Sequence, residues 1–227
     1  MKYSFALLLL ISFLPLALNS QEKSLKPGIN DSFKDPSVEK FEQRFEKEGR
    51  EVYDQREAII KQLGLTPGMS VADIGSGTGL FTRLLAPAVG KTGKVYAVDI
   101  AKNFVEHSVA SAKKAGWKNV IGVVCKADEA SLPAASVDVV FICATYHHFE
   151  YPFKTMTSIL RALRPGGKLV VVDFERIEGK SRDWLLKHVR ADKALVTKEI
   201  TASGFELIEE VPMFKENYLL KFKASAK

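Results

Sequence analysis

The sequence lacks the features that would set it apart from ordinary globular proteins. Its 227 residues include only two cysteines and no CxxC pair, which excludes a disulfide-stapled miniprotein. No apolar run reaches the ~18 residues of a membrane-spanning helix, so a multi-span membrane protein is excluded. Internal repeats and low-complexity tracts are also missing. With 46% apolar and 26% charged residues, the chain has the composition of a folded domain and not of a disordered one.

The chain also has no large excess of charge of one sign. The formal net charge is +6, and basic residues are interleaved with acidic ones along the chain. Such a balance favours solubility and does not indicate a nucleic-acid partner.

The first twenty residues differ from the rest. Lys2 precedes an apolar stretch from Phe5 to Leu18, and Leu18-Asn19-Ser20 resembles a cleavage site. This arrangement is typical of a secretory signal peptide over residues 1–20, so we expect a periplasmic or secreted protein. The alternative is an uncleaved segment, in which case the chain would associate with a membrane.

The remainder divides into three parts. Residues 21–36 are polar, contain Pro27 and Gly28, and predict a linker. In residues 37–64 apolar side chains return at helical spacing, which predicts an N-terminal helical segment. Residues 65–224 form the main domain.

From residue 70 onward, short β-rich runs alternate with amphipathic helical segments. The alternation predicts an α/β fold, a Rossmann-like doubly wound sheet with helices on both faces. Two closely spaced runs at the end of the chain predict a hairpin. The sheet would then have seven strands, mostly parallel, with an antiparallel last strand. The predicted strands are Ser70 to Ile74, Lys94 to Ile100, Val120 to Cys125, Val137 to Thr145, Lys168 to Phe174, Phe205 to Val211 and Asn217 to Phe222. The predicted helices between them are Leu80 to Val89, Lys102 to Gly116, Phe153 to Leu163 and Lys193 to Ser203. This sheet places Cys125 and Cys143 on strands that are not neighbours, which predicts two buried free thiols.

A glycine-rich loop follows the first predicted strand. Gly75, Gly77 and Gly79 stand at alternate positions between that strand and a helix. Glycine permits a sharp turn and close approach of a ligand, and the free N–H groups of the next helix point into the loop. The spacing is GxGxG, not the GxGxxG of dinucleotide-binding proteins. Asp73, just before the loop, would repel a pyrophosphate and attract an ammonium group, so the ligand is expected to be zwitterionic or cationic.

The loop resembles motif I of the class I S-adenosylmethionine-dependent methyltransferases. Four later segments resemble the same family in register. They are Lys94 to Ile100, Cys125 to Asp128, Leu132-Pro133 with Ser136 to Val140, and Leu163 to Leu169. The resemblance covers residues 65–175, and the small-molecule (type 11) branch is the most similar. The NPPY signature of amino-nitrogen methylation of DNA is absent, because Ala144-Thr145-Tyr146-His147 occupies its place.

The resemblance implies S-adenosylmethionine as cofactor. It implies that Asp99 accepts the ribose hydroxyls and that Asp128 accepts the exocyclic amine of adenine. The full set of implied cofactor-binding residues is Asp73, Gly75, Gly77, Gly79, Asp99, Ile100, Ala127, Asp128 and Ala144. The implied activity is in-line transfer of a methyl group to a small-molecule or lipid-like acceptor. The alternatives are a non-catalytic cofactor-binding module and, disfavoured by the glycine spacing, a dinucleotide-dependent oxidoreductase.

The end of the fourth predicted strand carries the candidate catalytic residues. Tyr146, His147 and His148 would lie beside the transferred methyl, where they could contact the acceptor or remove a proton. Adjacent residues of a strand point to opposite faces, so the sequence does not choose between the two histidines.

Two further groups of residues carry polar side chains of interest. Arg50, Tyr53 and Arg56 lie on one surface of the N-terminal helical segment. The resemblance implies that segment 37–64 is a lid over the cofactor, and the alternative is a solvated, charged face. Asp173 ends the fifth predicted strand, and His188 comes later in the chain. Together with a histidine, Asp173 could resemble a metal site. The acids of the metal-dependent catechol-type pattern are missing, and we expect no metal.

Overall fold

The computed structural model describes residues 21–225, and its centre is a seven-stranded sheet. The strands are β1 (Ser70–Ile74), β2 (Lys94–Asp99), β3 (Val120–Val124), β4 (Val137–Cys143), β5 (Leu163–Phe174), β6 (Phe205–Glu210) and β7 (Asn217–Ala224). The helices are α1 (Val38–Phe45), α2 (Glu51–Asp54), α3 (Arg56–Gln62), α4 (Leu80–Val89), α5 (Lys102–Lys114), α6 (Pro152–Ala162), α7 (Asp183–His188) and α8 (Lys193–Ala202). Short 3-10 turns cover Asp31–Phe33 and Tyr146–His148.

The strand order is β3-β2-β1-β4-β5-β7-β6. Strands β1 to β5 pair in parallel, and β7 is antiparallel to both β5 and β6. The predicted α/β sheet with an antiparallel last strand is confirmed. The order reverses between β1 and β4, and in open sheets of this kind a crevice forms at such a point, outside the carboxyl ends of the strands.

The strands form where apolar residues alternate between two buried layers. All five residues of β1 are buried. Ala72 and Ile74 pack into one apolar cluster, whereas Val71 packs into the cluster on the opposite face. Both faces of the central strands are therefore excluded from solvent. Truncating a fully buried side chain such as Phe141 to alanine would lower the free energy of unfolding by about 3–5 kcal/mol.

The edge strands depart from the expected burial. Ile121 and Val124 of β3 and Leu207 and Ile208 of β6 are between 38% and 50% exposed. Each edge strand has one unpaired side, so an apolar sequence there does not imply burial on both faces.

The N-terminal helical region differs from the single helical segment predicted. It consists of the short helices α1, α2 and α3, and Gly49, with φ of +82°, lies in the break between α1 and α2. Helix α7 was not predicted. Its two turns lie between β5 and α8, in a segment with no clear amphipathic period.

The predicted linker 21–36 is packed against the domain. The backbone N–H of Leu25 donates to Glu150 O, and Asn30 Nδ2 donates to His148 O. The ring of Phe33 meets that of His148 edge-on, with centroids 5.0 Å apart. The predicted signal peptide lies outside the described residues. Within residues 21–225, no helix has both the length and the apolarity needed to cross a bilayer.

Candidate functional site

A cavity of about 1160 Å³ lies at the carboxyl edge of the parallel strands. The loop after β1, the end of β2 and the end of β4 all contribute to its wall. Residues of the N-terminal segment and of α7 close it from the other side. This is the crevice that the strand order predicts.

The glycine-rich loop forms one wall. The N–H groups of Gly75 and Ser76 both donate to Val98 O, at 2.8 and 3.0 Å, which ties the loop to β2. Gly75 has φ of +73°, and a Cβ added there would lie 2.3 Å from the side chain of Thr145. Gly77 also has a positive φ, +51°, but a Cβ there would meet nothing nearer than 3.9 Å. Gly75 is thus required for packing, whereas Gly77 leaves open space in the cavity wall.

Gly79 has a different place. It is the N-cap of α4, with φ of +78°, and a Cβ on it would lie 2.8 Å from Ser108 Oγ. It is not part of the cavity wall, so its contribution is to bring α4 and α5 together.

Two buried carboxylates stand behind this loop. Asp99 Oδ2 accepts from Gly77 N and its Oδ1 accepts from Ala101 N, both at 2.9 Å. Burial raises the pKa of Asp99 although these bonds oppose the shift. Asp73 accepts from Thr82 Oγ1 at 2.7 Å, and burial raises its pKa to about 7. Asp99 reaches the cavity, whereas Asp73 lies behind the wall.

The predicted cofactor-binding residues near the turn after β3 do not all line the cavity. Ala127 lines the cavity, as does Ile100 after β2. Asp128 does not: its carboxylate lies 3.4 Å from Lys154 Nζ at the surface, with 39% of the side chain exposed. This position does not support the predicted contact between Asp128 and adenine.

The end of β4 carries backbone strain. Ala144 lines the cavity and has φ of +49°, a region that residues with a Cβ rarely occupy. Its N–H donates to Val172 O at 2.8 Å, which holds the conformation. Strain of this kind costs about 1–3 kcal/mol and tends to occur at functional sites.

Three histidines meet in the cavity, two of them from the turn after β4. The chain leaves strand geometry at Cys143, and the 3-10 turn Tyr146–His148 brings the rings of His147 and His148 to the same side, with centroids 4.3 Å apart. The expectation that the two point in opposite directions is wrong, because it assumed a continuous strand. His188, at the end of α7, adds a third ring 4.9 Å from His148.

Each of these rings has a distinct environment. His147 is buried, and its Nδ1 lies 2.7 Å from Asp173 Oδ1. His148 Nε2 lies 3.3 Å from His188 Nε2, and His148 Nδ1 is buried with no hydrogen-bond partner among the described residues. Burial is the main cause that lowers the pKa of His148 to about 2 and that of His188 to about 4. Both rings are therefore neutral at neutral pH.

Tyr146 does not belong to this group. Its side chain is fully buried in the apolar core, and its hydroxyl donates to Glu199 Oε2 at 3.1 Å. Arg190 binds the same carboxylate. The predicted contact between Tyr146 and an acceptor is corrected, since the 3-10 turn directs this ring away from the cavity.

The N-terminal helices contact the glycine loop directly. Glu46, just after α1, accepts from Thr78 Oγ1 at 2.7 Å and from Arg83 Nη2 at 2.6 Å. Of the three candidates on the lid surface, Arg50 lines the cavity, and burial lowers its pKa. Tyr53 and Arg56 contact each other outside it, through a 2.7 Å bond from Arg56 to Tyr53 O.

Part of the cavity wall comes from residues that the sequence did not indicate. Asn30 and Phe33 come from the presumed linker, and Trp184 comes from α7. No local pattern marks them as site residues, since polar, Pro- and Gly-containing sequence is also typical of mobile segments.

Comparison with known proteins agrees with this geometry. Residues 72–171 match a family model described as a methyltransferase domain. The chain is 28% identical over 167 residues to the ubiquinone/menaquinone biosynthesis C-methyltransferase UbiE of Hydrogenovibrio crunogenus, covering 71% of this chain and 66% of that protein. It is 30% identical over 172 residues to the UbiE protein of Shewanella pealeana, with the same coverage. The structure of a SAM-dependent methyltransferase from Aquifex aeolicus superposes with a TM-score of 0.71 and 25% identity, covering 82% of this chain and 98% of that one. The chain spans about half to two thirds of the length of the curated relatives it matches.

Proposed function

We propose that this chain, a member of the class I S-adenosylmethionine-dependent methyltransferases, transfers a methyl group to a small-molecule or lipid-like acceptor. The observation that carries the proposal is the cavity in which the glycine loop and the carboxylate of Asp99 form one side and the histidine cluster forms another. A cofactor and an acceptor can be held there next to each other.

The residues present fit the cofactor. Ser76 Oγ is buried in the loop without a hydrogen-bond partner among residues 21–225, and Gly77 leaves room that a Cβ would fill. Each oxygen of Asp99 accepts one backbone N–H and keeps a lone pair for a ribose hydroxyl. Asp73 lies behind the loop, and its ionised form would add negative potential toward an ammonium group. Bound S-adenosylmethionine supplies a methyl group already activated on a sulfonium.

The chain itself has to align the acceptor and exclude water, since an activated methyl needs little further chemistry. The N-terminal segment and α7 close the cavity over the carboxyl edge. Asp173 fixes the orientation of His147, whose other ring nitrogen then remains to contact the acceptor or its proton.

The aromatic part of the lining suits a ring-bearing acceptor. Seven Phe and Trp side chains line the cavity, together with twelve Asp, Glu, Lys and Arg residues. The Phe and Trp residues are Phe33, Phe45, Phe81, Phe104, Phe149, Phe174 and Trp184. The relatives' names refer to ubiquinone and menaquinone biosynthesis, which supports an acceptor of quinol-like or similar lipid-like character.

Binding measurements separate this function from its alternatives. Calorimetry is expected to show that S-adenosylhomocysteine binds one to one and that NADH does not. Binding of NADH alone would favour the oxidoreductase alternative. Formation of S-adenosylhomocysteine from S-adenosylmethionine with a panel of quinols and phenols, followed by mass spectrometry, then tests turnover. Binding without turnover on any acceptor would favour the non-catalytic module.

Variants test the assigned roles. Asp99→Ala is expected to weaken S-adenosylhomocysteine binding by about 1.5–3 kcal/mol, because it removes a charge-assisted pair of bonds. Asp128→Ala is the matched control, since this carboxylate lies outside the cavity and its loss should change affinity little. His147→Ala and His148→Ala are expected to retain cofactor affinity and to lose turnover. Unchanged affinity in Asp99→Ala would reject the ribose assignment.

The proposal includes export. The support is the sequence of residues 1–20, with its charged start, apolar stretch and small-residue end. Expression of the full chain followed by cell fractionation and N-terminal sequencing is expected to give a mature protein that begins at Gln21. Recovery of the intact N-terminus in the membrane fraction would favour the uncleaved anchor.

A further inference from the structure

The three clustered histidines have the spacing of metal ligands. One ring nitrogen from each of His147, His148 and His188 can be chosen so that all three lie within 4.8 Å of one another. They come from two separate elements, the turn after β4 and the end of α7. The cluster is not visible in the sequence, because its members lie in two distant parts of the chain and no HxxH or similar spacing occurs.

The distances suit a small divalent ion. With Zn–N bonds of about 2.0–2.1 Å, two nitrogens of a tetrahedral site lie about 3.3 Å apart. His148 Nε2 and His188 Nε2 are 3.3 Å apart. Since all separations in the cluster are within 4.8 Å, none exceeds the tetrahedral value by more than about 1.5 Å, which a side-chain rotation can close.

The surroundings of His147 also match a metal ligand. Its Nδ1 lies 2.7 Å from the carboxylate of Asp173, which is itself buried and also accepts the backbone N–H groups of His147 and Phe174. A carboxylate that holds one ring nitrogen fixes the tautomer and presents the other nitrogen to a metal. Asp173 is thus a positioning residue for His147.

Against the expectation from the sequence that the chain holds no metal, we propose that His147, His148 and His188 bind a divalent transition-metal ion, with zinc as the first candidate. All three line the cavity, so the ion would have an open coordination position facing the space where the acceptor is expected. Three protein ligands with one open position are typical of catalytic sites, whereas structural zinc sites have four. No fourth histidine, cysteine or carboxylate joins the group in the part of the chain that the structure describes.

The proposed metal ion would act on the acceptor and not on the cofactor. A histidine nitrogen that binds the ion cannot also accept the acceptor's proton, so the ion would act by lowering the pKa of the bound acceptor group, whose proton would pass to solvent. An oxygen of the acceptor that occupies the open position would be oriented by the ion and made more acidic. Metal binding itself does not depend on methyl transfer and can fail or succeed separately from it.

The test is metal binding by tag-free protein that has been stripped with a chelator. Titration with Zn²⁺ by calorimetry, and with Co²⁺ by visible absorption, is expected to give one ion per chain. His188→Gln, which removes a half-buried ligand, is expected to abolish saturable binding at concentrations that saturate the wild type. Asp173→Asn is expected to weaken it by about 10–100-fold.

The fourth histidine of the chain provides a matched control. His107 lies on α5, away from the cluster, with its Nε2 2.9 Å from Glu42. His107→Gln should leave stoichiometry and affinity unchanged. Circular dichroism confirms that each variant is folded. The proposal is overturned if the stripped protein takes up neither ion at one equivalent, or if folded His188→Gln binds as tightly as the wild type.

Discussion

Gly77 and Gly116 share a backbone requirement but not an environment. Both have positive φ, +51° and +89°, and neither has an atom close to the position of a Cβ. Gly77 lines the cavity, whereas Gly116 follows α5 at the surface and does not. The pair therefore separates the cost of backbone strain from the cost of blocking a ligand.

We expect Gly77→Ala and Gly116→Ala to lower the free energy of unfolding by similar amounts, about 1–2 kcal/mol each. Only Gly77→Ala should weaken binding of S-adenosylhomocysteine, because its Cβ enters the cavity. Denaturant unfolding and calorimetry measure the two effects. Equal affinities in the two variants would show that the cofactor does not approach the loop at this position.

Asp73 makes the stability of the domain depend on pH. Burial raises the pKa of its carboxyl group from 3.8 to about 7. Between these values the folded chain binds more protons at this site than the unfolded chain, so this contribution to stability falls as pH rises from about 4 to about 7. The full effect is at most about 4 kcal/mol.

We expect Asp73→Asn to remove this dependence, so that the variant gains stability relative to the wild type as pH rises through this window. His148 and His188 act in the opposite direction, since their lowered pKa values destabilise the fold below about pH 6.5. The quantity to measure is therefore the difference in unfolding free energy between variant and wild type at each pH. A difference that does not change with pH would contradict the assignment.

At the scale of elements, the N-terminal helices are attached to the glycine loop at one point and to the C-terminal hairpin at another. Glu46 binds Thr78 and Arg83, and Glu51 accepts the backbone N–H groups of Lys215, Glu216 and Asn217. In both attachments a carboxylate accepts, which makes the hydrogen bonds stronger than neutral ones. The segment of α2 and α3 also buries Val52, Ile59 and Leu63 in the core, whereas no residue of α1 is buried. The contacts of Glu46 therefore matter most for the position of α1.

We expect Glu46→Gln to weaken the first attachment by about 1–2 kcal/mol, since it removes the charge from a partly exposed pair. Amide exchange in α1 should accelerate and S-adenosylhomocysteine should dissociate faster. Glu57→Gln is the control, because this exposed residue of α3 makes none of these contacts. Equal exchange rates in Glu46→Gln and wild type would mean that the lid is held elsewhere.

At the scale of the whole molecule, the sheet keeps the two cysteines apart. Cys125 follows β3 and Cys143 ends β4, with β2 and β1 between these strands. Three inter-strand steps amount to about 14 Å, well beyond the ~7 Å between Cα atoms that a disulfide permits. Both are free thiols, as predicted, although each is only partly buried. Burial raises the pKa of Cys125 to about 12 and raises that of Cys143 further.

We expect both thiols to react slowly with a thiol reagent in the folded protein and rapidly in guanidinium. Alkylation without prior reduction, followed by mass spectrometry, should label both cysteines of the unfolded protein. A requirement for reduction before labelling would show a disulfide and contradict the strand order.

The fold and the glycine-loop side of the cavity follow from patterns that are visible in the sequence. The periods of apolar residues specify strands and helices locally, and glycines at alternate positions specify a turn that few other residues can adopt. For this reason Ser70–Ile74 and Leu80–Val89 coincide with the predicted elements, and Gly75, Gly77 and Asp99 meet at one wall. Such features depend on neighbours in the chain, which a sequence displays directly.

The histidine side of the cavity depends on tertiary contacts. His188 joins His147 and His148 across forty residues, Phe33 reaches the cavity from a segment that predicts a linker, and Tyr146 turns into the core. Each outcome depends on which side of a short turn faces the cavity and on contacts between distant segments. Neither leaves a periodic pattern, because a single 3-10 turn is too short to have one.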